Sequence, residues 1–367
     1  MKRALLLFLL TACASRPQAA RPELRGVWIA TVNNIDWPSR RDLTPAQQQA
    51  ELIALFDRAS AAGLNAVFLQ VRPMADAIYP APDSPWSEYL TGAMGRAPEP
   101  AYDPLAFAIE AAHARGLALH AWFNPFRAKH PTSTSPLAAS HLAERRPELV
   151  RTYGKHLWFD PGDAGARAEV LAAVLDVVRR YDVDGVHMDD YFYPYPEEAQ
   201  PFPDDATWQR YRAAGGRLGR DDWRRQNINE FVAAMYAAVK AVRPEVQVGI
   251  SPFGIWRPRH PRQIRGFDAY AELYADSRLW LRNGWVDYLA PQLYWPIDRR
   301  EQSFPVLLRW WMSQDRRNRG VVAGLFASKW SREEIERQIA LTRRAKARGF
   351  ILFSAKALPE TPAQPAR

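Results

Sequence analysis

Cysteine is almost absent from this sequence, with Cys13 the only one among 367 residues. No disulfide can form within the chain, so the fold must be stabilised by a buried apolar core. Histidine is also scarce, and none of the seven stands in a His-x-His pair or in a His/Cys/Glu cluster with the spacing of a metal site. These absences predict a protein that binds no metal and no other cofactor.

Phosphate-binding loops and basic nucleic-acid surfaces are missing as well. Gly215-Gly216 is not followed by the Lys-Ser/Thr pair of a phosphate loop. Much of the formal net charge of +9 comes from arginines scattered along predicted helices, not from one basic stripe, so nucleic acid is not an expected partner. The charge is compatible with an anionic polymer, with a negatively charged envelope surface, or with the bias of an arginine-rich proteome.

The apolar run at the N-terminus, residues 5–10, is too short to span a bilayer. It follows Lys2 and Arg3, and this order of charged and apolar residues predicts a secretion signal peptide over residues 1–12. We expect the mature chain to begin with a short tether, residues 13–22.

Leu10-Thr11-Ala12-Cys13 resembles a bacterial lipobox. The resemblance implies cleavage before Cys13 and lipidation of that residue, which would anchor the protein to a membrane. Ala14, in place of an aspartate, implies by resemblance to lipoprotein sorting the outer membrane of a Gram-negative cell, with the protein facing the periplasm. The alternative is an ordinary signal peptide in which the cysteine is incidental.

From Leu24 onward, short apolar segments alternate with amphipathic ones. Capping residues such as Thr44, Asp103 and Ser331 begin several of the predicted helices, and one helix is predicted over residues 268–282. Eight segments are predicted as strands, at residues 25–32, 65–71, 117–123, 183–188, 246–253, 286–294, 321–327 and 350–353.

This alternation predicts an α/β fold, a single-domain (β/α)8 TIM barrel over residues 23–358, followed by a loose tail at residues 359–367. The predicted turns that lead back into the strands are short, whereas the loops after strands two to five are long. The active sites of such barrels lie among the loops at the C-terminal ends of the strands. The functional residues are therefore expected on that face.

Polar side chains collect at the predicted C-terminal ends of these strands. Amides, carboxylates and arginines suit a hydroxyl-rich ligand, and the 14 Trp, 14 Tyr and 16 Phe could supply stacking surfaces for sugars or simply fill a large core. The candidate substrate-binding residues are Asn33, Asp36, Gln70, Arg72, Asn124, Arg127, Asp160, His187, Tyr191, Gln292, Tyr294 and Trp295.

Asp189 and Asp190 follow the fourth predicted strand, where carboxylates are costly unless they are solvated or paired. Because successive strand residues point to opposite faces, outward-facing Val186 and Met188 would direct Asp189 toward the barrel axis. Asp190 would then point outward or lie in the loop. Both are candidate catalytic residues, with Asp189 the first, but the alternation argues against the adjacent pair acting as the acid and base of one reaction.

Five segments together carry a family resemblance. They are Leu24-Arg25-Gly26-Val27-Trp28-Ile29, Gln70-Val71-Arg72, Ala121-Trp122-Phe123-Asn124-Pro125, Asp184-Gly185-Val186-His187-Met188-Asp189-Asp190-Tyr191-Phe192-Tyr193-Pro194 and Ala290-Pro291-Gln292-Leu293-Tyr294-Trp295. Over residues 24–354 the chain resembles the glycosyl-hydrolase-like family 10 barrels, which implies a glycoside hydrolase acting on a polysaccharide. With the lipobox, it is similar to the outer-membrane lipoprotein branch of that family, the divisome-localised glycosyl hydrolases. That similarity implies cleavage of peptidoglycan glycan strands stripped of their stem peptides, during cell division.

Glycoside hydrolysis commonly uses two carboxylates, one of which holds a proton. We expect Asp189 to be one of the two. The candidates for the other are Asp190, Asp36, Asp160 and Asp298.

Similarity to other barrel types does not identify that second group. Asp184-Gly185-x-x-x-Asp189 looks like part of the fourth-strand motif of chitinase-type barrels, but Tyr191 stands at the position of their acid glutamate. Ile250-Ser251-Pro252-Phe253 lacks the fifth-strand acid glutamate of amylase-type barrels. An N-acetyl group on the substrate could instead supply the nucleophile, and Tyr294 would be placed to hold that group.

Two other functions fit the same residues. A non-catalytic glycan-binding lipoprotein would bind glycan strands without producing new reducing ends. An α-glucan hydrolase or transglycosidase would act on starch-type polymers and not on peptidoglycan. The sequence does not set an oligomeric state.

Overall fold

The computed structural model describes residues 22–198 and 200–360. The signal peptide, Cys13 and most of the predicted C-terminal tail lie outside these residues. In chain order the described strands are β1 (Leu24–Ile29), β2 (Ala66–Arg72), β3 (Ala118–Phe123), β4 (Arg127–Lys129), β5 (Val150–Tyr153), β6 (His156–Phe159), β7 (Gly185–Met188), β8 (Gln247–Ile250), β9 (Tyr288–Leu289), β10 (Val322–Leu325) and β11 (Gly349–Leu352).

Eight of these strands form one parallel sheet in the order β10-β11-β1-β2-β3-β7-β8-β9. Its outer strands, β9 and β10, meet through the parallel bridges Leu289–Val321 and Gln292–Gly324, and the Leu289 amide donates to the Gly320 carbonyl at 3.0 Å. The sheet therefore closes on itself through isolated bridges, not through a continuous ladder. This architecture confirms the predicted (β/α)8 barrel.

Helices connect the strands and cover the outside of the barrel. In chain order they are α1 (Pro45–Ala61), α2 (Glu88–Thr91), α3 (Pro104–His113), α4 (Leu142–Arg145), α5 (Ala164–Arg180), α6 (Asp205–Ala213), α7 (Arg220–Val242), α8 (Ala269–Glu272), α9 (Ser277–Asn283), α10 (Phe304–Gln314) and α11 (Arg332–Arg344). Within the described residues, β11 is followed only by a 3₁₀ turn, Ala355–Ala357.

Side-chain caps fix where several helices begin. The Thr44 hydroxyl accepts from the backbone amide of Gln47, whose side chain in turn accepts from the Thr44 backbone, so both groups of a capping box are present. Asp103 and Ser331 also cap α3 and α11 through their side chains. These three predicted caps are confirmed.

Two predicted elements are shorter than the sequence pattern suggests. The helix predicted at 268–282 is divided into α8 and α9, because Tyr274 has a left-handed backbone with φ of 53°. Asp276 then caps a new helix, its side chain accepting from the Leu279 amide. The strand predicted at 286–294 forms a ladder only over β9. Pro291 follows it and has no N–H with which to continue the ladder.

The loop after β3 contains a small antiparallel sheet that the sequence analysis did not predict. Its order is β4-β6-β5, with Arg127 paired to Trp158 and Val150 paired to Phe159. The long loops after the strands also contain α2, α4 and α6. These additions lie on the C-terminal face and build the surroundings of the candidate site.

The barrel interior is filled by aromatic and histidine side chains. A Cβ added to Gly249 would lie 1.8 Å from the Tyr288 ring, and one added to Gly185 would lie 2.2 Å from His120. Glycine on neighbouring strands thus gives these large side chains their space. Val186 and Met188 pack in the outer core between sheet and helices, as predicted.

The helices offer no candidate for a membrane span. Across the described parts of the chain, none is both long enough and apolar enough to cross a bilayer.

Candidate active site

A cavity of about 260 Å³ opens at the C-terminal ends of the barrel strands. Its aromatic lining comes from Trp28, Trp122, Tyr191, Tyr294 and Phe353, and its polar lining includes Gln70, Asn124, Arg127, Asp189, Asp190 and Gln292. Flat rings beside hydrogen-bonding groups suit a sugar. A larger groove of about 510 Å³ lies outside the barrel, against α5, α6 and α7, and none of the predicted site residues lines it.

Asp189 belongs to this lining and is 5% exposed. One carboxylate oxygen, Oδ2, accepts from Trp122 Nε1 at 3.3 Å and from Asn124 Nδ2. Among the described residues, no hydrogen-bond partner reaches its other oxygen, Oδ1. Burial, followed by the neighbouring charge of Asp190, raises the pKa of Asp189 to about 7. The group can therefore hold or release a proton near neutral pH.

Asp190 lines the same cavity but has different partners. Its Oδ2 accepts from the Tyr195 hydroxyl at 2.5 Å, and its Oδ1 accepts from Gln292 Nε2 at 3.1 Å. Burial raises the pKa of Asp190, while the hydrogen bonds from Tyr195 and Gln292 act to lower it. Both oxygens are thus held by donors that favour the ionised carboxylate.

Asp190 lies in the loop after β7, which was one of the two predicted positions, but the loop does not carry it away from Asp189. Strand β7 ends at Met188, so the two-residue alternation does not extend to Asp190. Beyond the strand the backbone turns, and the Phe192 amide donates to the Asp190 carbonyl at 3.1 Å. This turn brings both carboxylates to one cavity.

Asn124 connects Asp189 to two further predicted residues. Its Oδ1 accepts from Gln70 Nε2 and from an Arg127 guanidinium nitrogen at 2.8 Å. Gln70 is fixed in turn, because its Oε1 accepts from the Thr31 amide at 2.8 Å. The amide orientation of Asn124 is therefore set by its neighbours, and its Nδ2 is directed at the Asp189 carboxylate.

Two tyrosines complete the predicted lining. The Arg127 guanidinium lies 5.7 Å from the centroid of the Tyr191 ring. Tyr294 packs against Phe326 and Phe353, with ring centroids 5.0 and 5.9 Å apart. Within residues 22–198 and 200–360, no group of three or more His, Cys, Asp or Glu side chains is placed to hold a metal ion.

Comparison with known proteins assigns the family. The family model described as Glycosyl hydrolase-like 10 matches residues 23–338. The chain is 44% identical over 359 residues to Glycosyl hydrolase YngK of Bacillus subtilis strain 168, covering 93% of this chain and 69% of that protein. It is 37% identical over 319 residues to Glycosyl hydrolase DigH of Escherichia coli K12, covering 81% of this chain and 71% of that protein.

This protein belongs to the Glycosyl hydrolase-like 10 family. The predicted family is thereby confirmed, and the protein is a glycoside hydrolase. The fold has a similar solved structure in the glycoside hydrolase domain of PgaB (BpsB) from Bordetella bronchiseptica, with a TM-score of 0.61, 17% identity, and coverage of 90% of this chain and 94% of that one.

In this Glycosyl hydrolase-like 10 barrel, His187 lies beneath the cavity and not at its rim. It is fully buried, and its Nε2 accepts from Trp28 Nε1 at 3.1 Å. Its Nδ1 must then carry the proton and donate to the Tyr288 hydroxyl at 2.9 Å, which donates to His120 at 3.0 Å. The alternation correctly directed His187 inward, but its depth in the barrel excludes the predicted substrate contact.

Arg72 points away from the cavity, contrary to prediction. The register between β2 and β3 shifts between Gln70 and Arg72, so Arg72 does not follow Gln70 inward. Its guanidinium instead donates to the Ser84 hydroxyl at 2.5 Å and lines a separate cavity beside α5.

Asp36 and Asp160 brace loops and do not line the cavity. Asp36 accepts from the Ala30 amide at 2.8 Å and from the Ser354 hydroxyl at 2.7 Å, which ties the end of β1 to the loop after β11. Asp160 forms an ion pair with Arg151 at 3.0 Å. Of Asp36, Asp160 and Asp190, all candidates for the second carboxylate, only Asp190 lines the cavity.

Three remaining candidates also lie outside the lining. Asn33 is exposed on a 3₁₀ turn, and Asp298 is exposed on the loop after β9. Trp295 is half-buried and packs against Phe253, with ring centroids 5.6 Å apart.

The sequence analysis missed several residues that shape the site. Trp28, Trp122 and Phe353 form aromatic walls, His130 also lines the cavity, and Tyr195 donates to Asp190. The alternation could have identified Trp28 and Trp122, because both occupy inward positions near strand ends. His130 and Tyr195 lie in loops whose paths no local pattern defines.

Proposed function

We propose that this glycoside hydrolase cleaves peptidoglycan glycan strands from which the stem peptides have been removed, with Asp189 as the general acid. The single observation that carries the mechanism is the placement of Asp189 and Asp190, with different partners, in one aromatic-walled cavity. The substrate follows from the resemblance to the lipoprotein branch of the family. Peptidoglycan sugars carry the hydroxyl and N-acetyl groups that such a lining can bind.

Asp189 is the proton donor in this proposal. Burial raises its pKa to about 7, so a substantial fraction of the group is protonated at neutral pH. Its Oδ1 has no hydrogen-bond partner among the described residues, so in this proposal Oδ1 carries the proton that passes to the leaving-group oxygen. Asp190 is the orienting carboxylate, because the donors Tyr195 and Gln292 hold both of its oxygens in place.

The nucleophile in this proposal is the substrate's own N-acetyl group. Its carbonyl oxygen attacks the anomeric carbon, the bond to the leaving sugar breaks, and the Asp189 proton passes to the departing oxygen. Asp190 accepts a hydrogen bond from the acetamido N–H. Tyr294, in the same lining, helps to hold the acetamido group in place. Water then opens the cyclic intermediate and returns a proton to Asp189. Two hydrogen bonds already made to Asp190 reduce its own nucleophilicity, which favours this route.

A thiazoline analogue of the cyclic intermediate tests this route. We expect it to compete with substrate for the enzyme, because the cavity would bind the fused five-membered ring in place of the acetamido group. A 5-fluoro glycoside that keeps the 2-acetamido group should leave Asp190 unlabelled. Covalent labelling of Asp190, detected by peptide mass spectrometry, would instead establish it as the nucleophile.

The lipobox-like quartet supports a proposed location. Lipidation of Cys13 would anchor the enzyme to the outer membrane, facing the periplasm, within reach of the cell wall. The resemblance to the divisome-localised branch adds a proposed role in cell division, where glycan strands are remodelled.

The function is tested by mass spectrometry of the products formed from three substrates. These are amidase-treated peptidoglycan, intact peptidoglycan and starch. We expect shorter glycan fragments with new reducing ends from the amidase-treated strands only. Fragments from starch alone would support an α-glucan hydrolase, and binding of strands without new ends would support a glycan-binding protein.

A further inference from the structure

Arg127 gives the cavity a single strongly basic side chain. Among the described residues that line the cavity, no lysine and no other arginine is present. His130 is a second basic group there, but burial, followed by the charge of Arg127, lowers its pKa to about 4. At neutral pH the imidazole is uncharged, and Arg127 alone supplies positive charge.

The guanidinium of Arg127 is buried but only partly used. Its Nε donates to the Pro73 carbonyl at 2.9 Å, and its Nη2 donates to Asn124 Oδ1 at 2.8 Å. In the described part of the chain, no acceptor takes a hydrogen bond from Nη1, and no carboxylate lies within 4.0 Å of the guanidinium. Arg127 as a whole is only 5% exposed, but Nη1 is not among the fully buried atoms that lack a partner. Solvent, and therefore a ligand, can reach this nitrogen.

Neither aspartate neutralises this charge directly. Asn124 stands between Arg127 and Asp189, accepting from the first and donating to the second. Asp190 is engaged elsewhere, by Tyr195 and Gln292. A buried charge without an ionic partner is costly, and a ligand anion at this wall of the cavity would relieve that cost.

We propose that Arg127 binds the free lactyl carboxylate of an N-acetylmuramoyl residue and thereby selects glycan strands that have lost their stem peptides. This inference rests on the function proposed above. While a stem peptide is attached, the lactyl carboxyl group is part of an uncharged amide. Amidase cleavage restores the carboxylate, whose planar geometry matches a guanidinium. Selection of stripped strands then depends on charge recognition and not only on the removal of bulk.

The test compares two substrates that differ only in this charge. Denuded strands are prepared with an amidase, and half of the sample is treated with carbodiimide and methylamine, which converts each lactyl carboxylate to a small neutral amide. Release of reducing ends gives kcat/KM for both. We expect the wild type to prefer the carboxylate form by at least about tenfold, the effect of one charge-assisted hydrogen bond in a buried site.

Two variants of Arg127 and one control identify the residue responsible. R127M should reduce the ratio of kcat/KM between the carboxylate and amide substrates to about one. This ratio is unaffected if loss of the contact with Asn124 slows the reaction on both substrates. R127K should keep part of the preference because the positive charge remains. R72M is the matched control. Arg72 is a second arginine with 4% exposure, but it lies outside the cavity lining, so its replacement should leave the ratio unchanged.

The outcomes separate this inference from the function on which it rests. If the wild type cleaves both forms equally, the role of Arg127 is overturned while the proposed function stands. If R127M keeps the wild-type ratio, another group recognises the carboxylate and the inference is also overturned. If neither form is cleaved, the proposed function itself fails. The wild-type comparison requires no variant, so misfolding of R127M does not remove the test.

Discussion

The raised pKa of Asp189 connects the chemistry of one residue to the stability of the whole fold. Its carboxyl group has a pKa of about 7 in the folded protein, against 3.8 for an unperturbed aspartate. The folded state therefore binds the proton more tightly than the unfolded state. The stability that this tighter proton binding contributes to the fold is fully present below pH 4 and is lost as the pH rises through 7.

Replacing Asp189 with asparagine should remove this loss of stability at higher pH. D189N keeps an oxygen to accept from Trp122 and Asn124 but carries no charge at any pH. We expect D189N to be more stable than the wild type at pH 8, by up to about 4 kcal/mol for a shift of this size, and to lose this advantage at pH 4. Urea unfolding at the two pH values measures both differences. Equal stability of the two proteins at pH 8 would contradict the raised pKa.

The direction of a side chain could be predicted from the sequence where the residue lies within a regular strand. The alternation along β7 placed His187 inward and Met188 outward, as the structure shows. It did not place Asp190, two residues after the end of β7, or Arg72, beyond a register shift. Alternation also contains no information on depth along the barrel axis, which is why His187 was predicted at the rim.

At the scale of elements, Asp160 holds the loop after β3 together. Its carboxylate accepts from Arg151 on β5 at 3.0 Å and from the Thr207 hydroxyl on α6 at 2.8 Å, and it also accepts from the Gly162 amide at 2.8 Å. The side chain is completely buried. Asp160 thus joins the small antiparallel sheet to a helix of the next long loop.

D160A should destabilise the protein without affecting the chemistry. Removing one partner of a buried ion pair leaves the other charge uncompensated, and we expect a loss of about 3 kcal/mol in the free energy of unfolding. Because Asp160 lies outside the cavity, kcat at a temperature where the variant is folded should stay within a few-fold of the wild type. Chemical unfolding and reducing-end assays check the two expectations.

D205A is the matched control, because it removes one partner of an exposed ion pair. Asp205 also pairs with an arginine, Arg220, at 2.7 Å, but its side chain is 71% exposed. We expect a change in stability below about 1 kcal/mol. A loss in D160A no larger than that in D205A would show that the brace is unimportant.

Elements were predictable where their signals are local. Capping residues and apolar periodicity located α1, α3 and α11, because these signals lie within a few residues of each helix end. The break between α8 and α9 depends on Tyr274, whose hydroxyl accepts from Arg224, 50 residues away, at 2.6 Å. The antiparallel sheet likewise depends on pairing between Arg127 and Trp158. Distant pairings of this kind leave no periodic trace in the sequence.

At the scale of the whole molecule, the proposed lipid anchor on Cys13 would hold the enzyme at the outer membrane. If Cys13 is lipidated as proposed, its substitution prevents attachment of the lipid and leaves the barrel intact. We expect C13A, expressed in a Gram-negative host, to move from the membrane fraction to another fraction, whereas the wild type stays with the outer membrane. Fractionation and immunoblotting measure the distribution. Equal membrane association of both forms would contradict lipidation at this residue.

In the proposed mechanism the chemistry of the whole enzyme depends on Asp189, and the rate on denuded glycan strands is the most direct test of that role. We predict that D189N, with a native circular dichroism spectrum, releases reducing ends at least about 100-fold more slowly than the wild type. D298N, in which an exposed aspartate outside the cavity is changed in the same way, should retain the wild-type rate. A folded D189N with full activity would contradict the assignment of Asp189 as the proton donor.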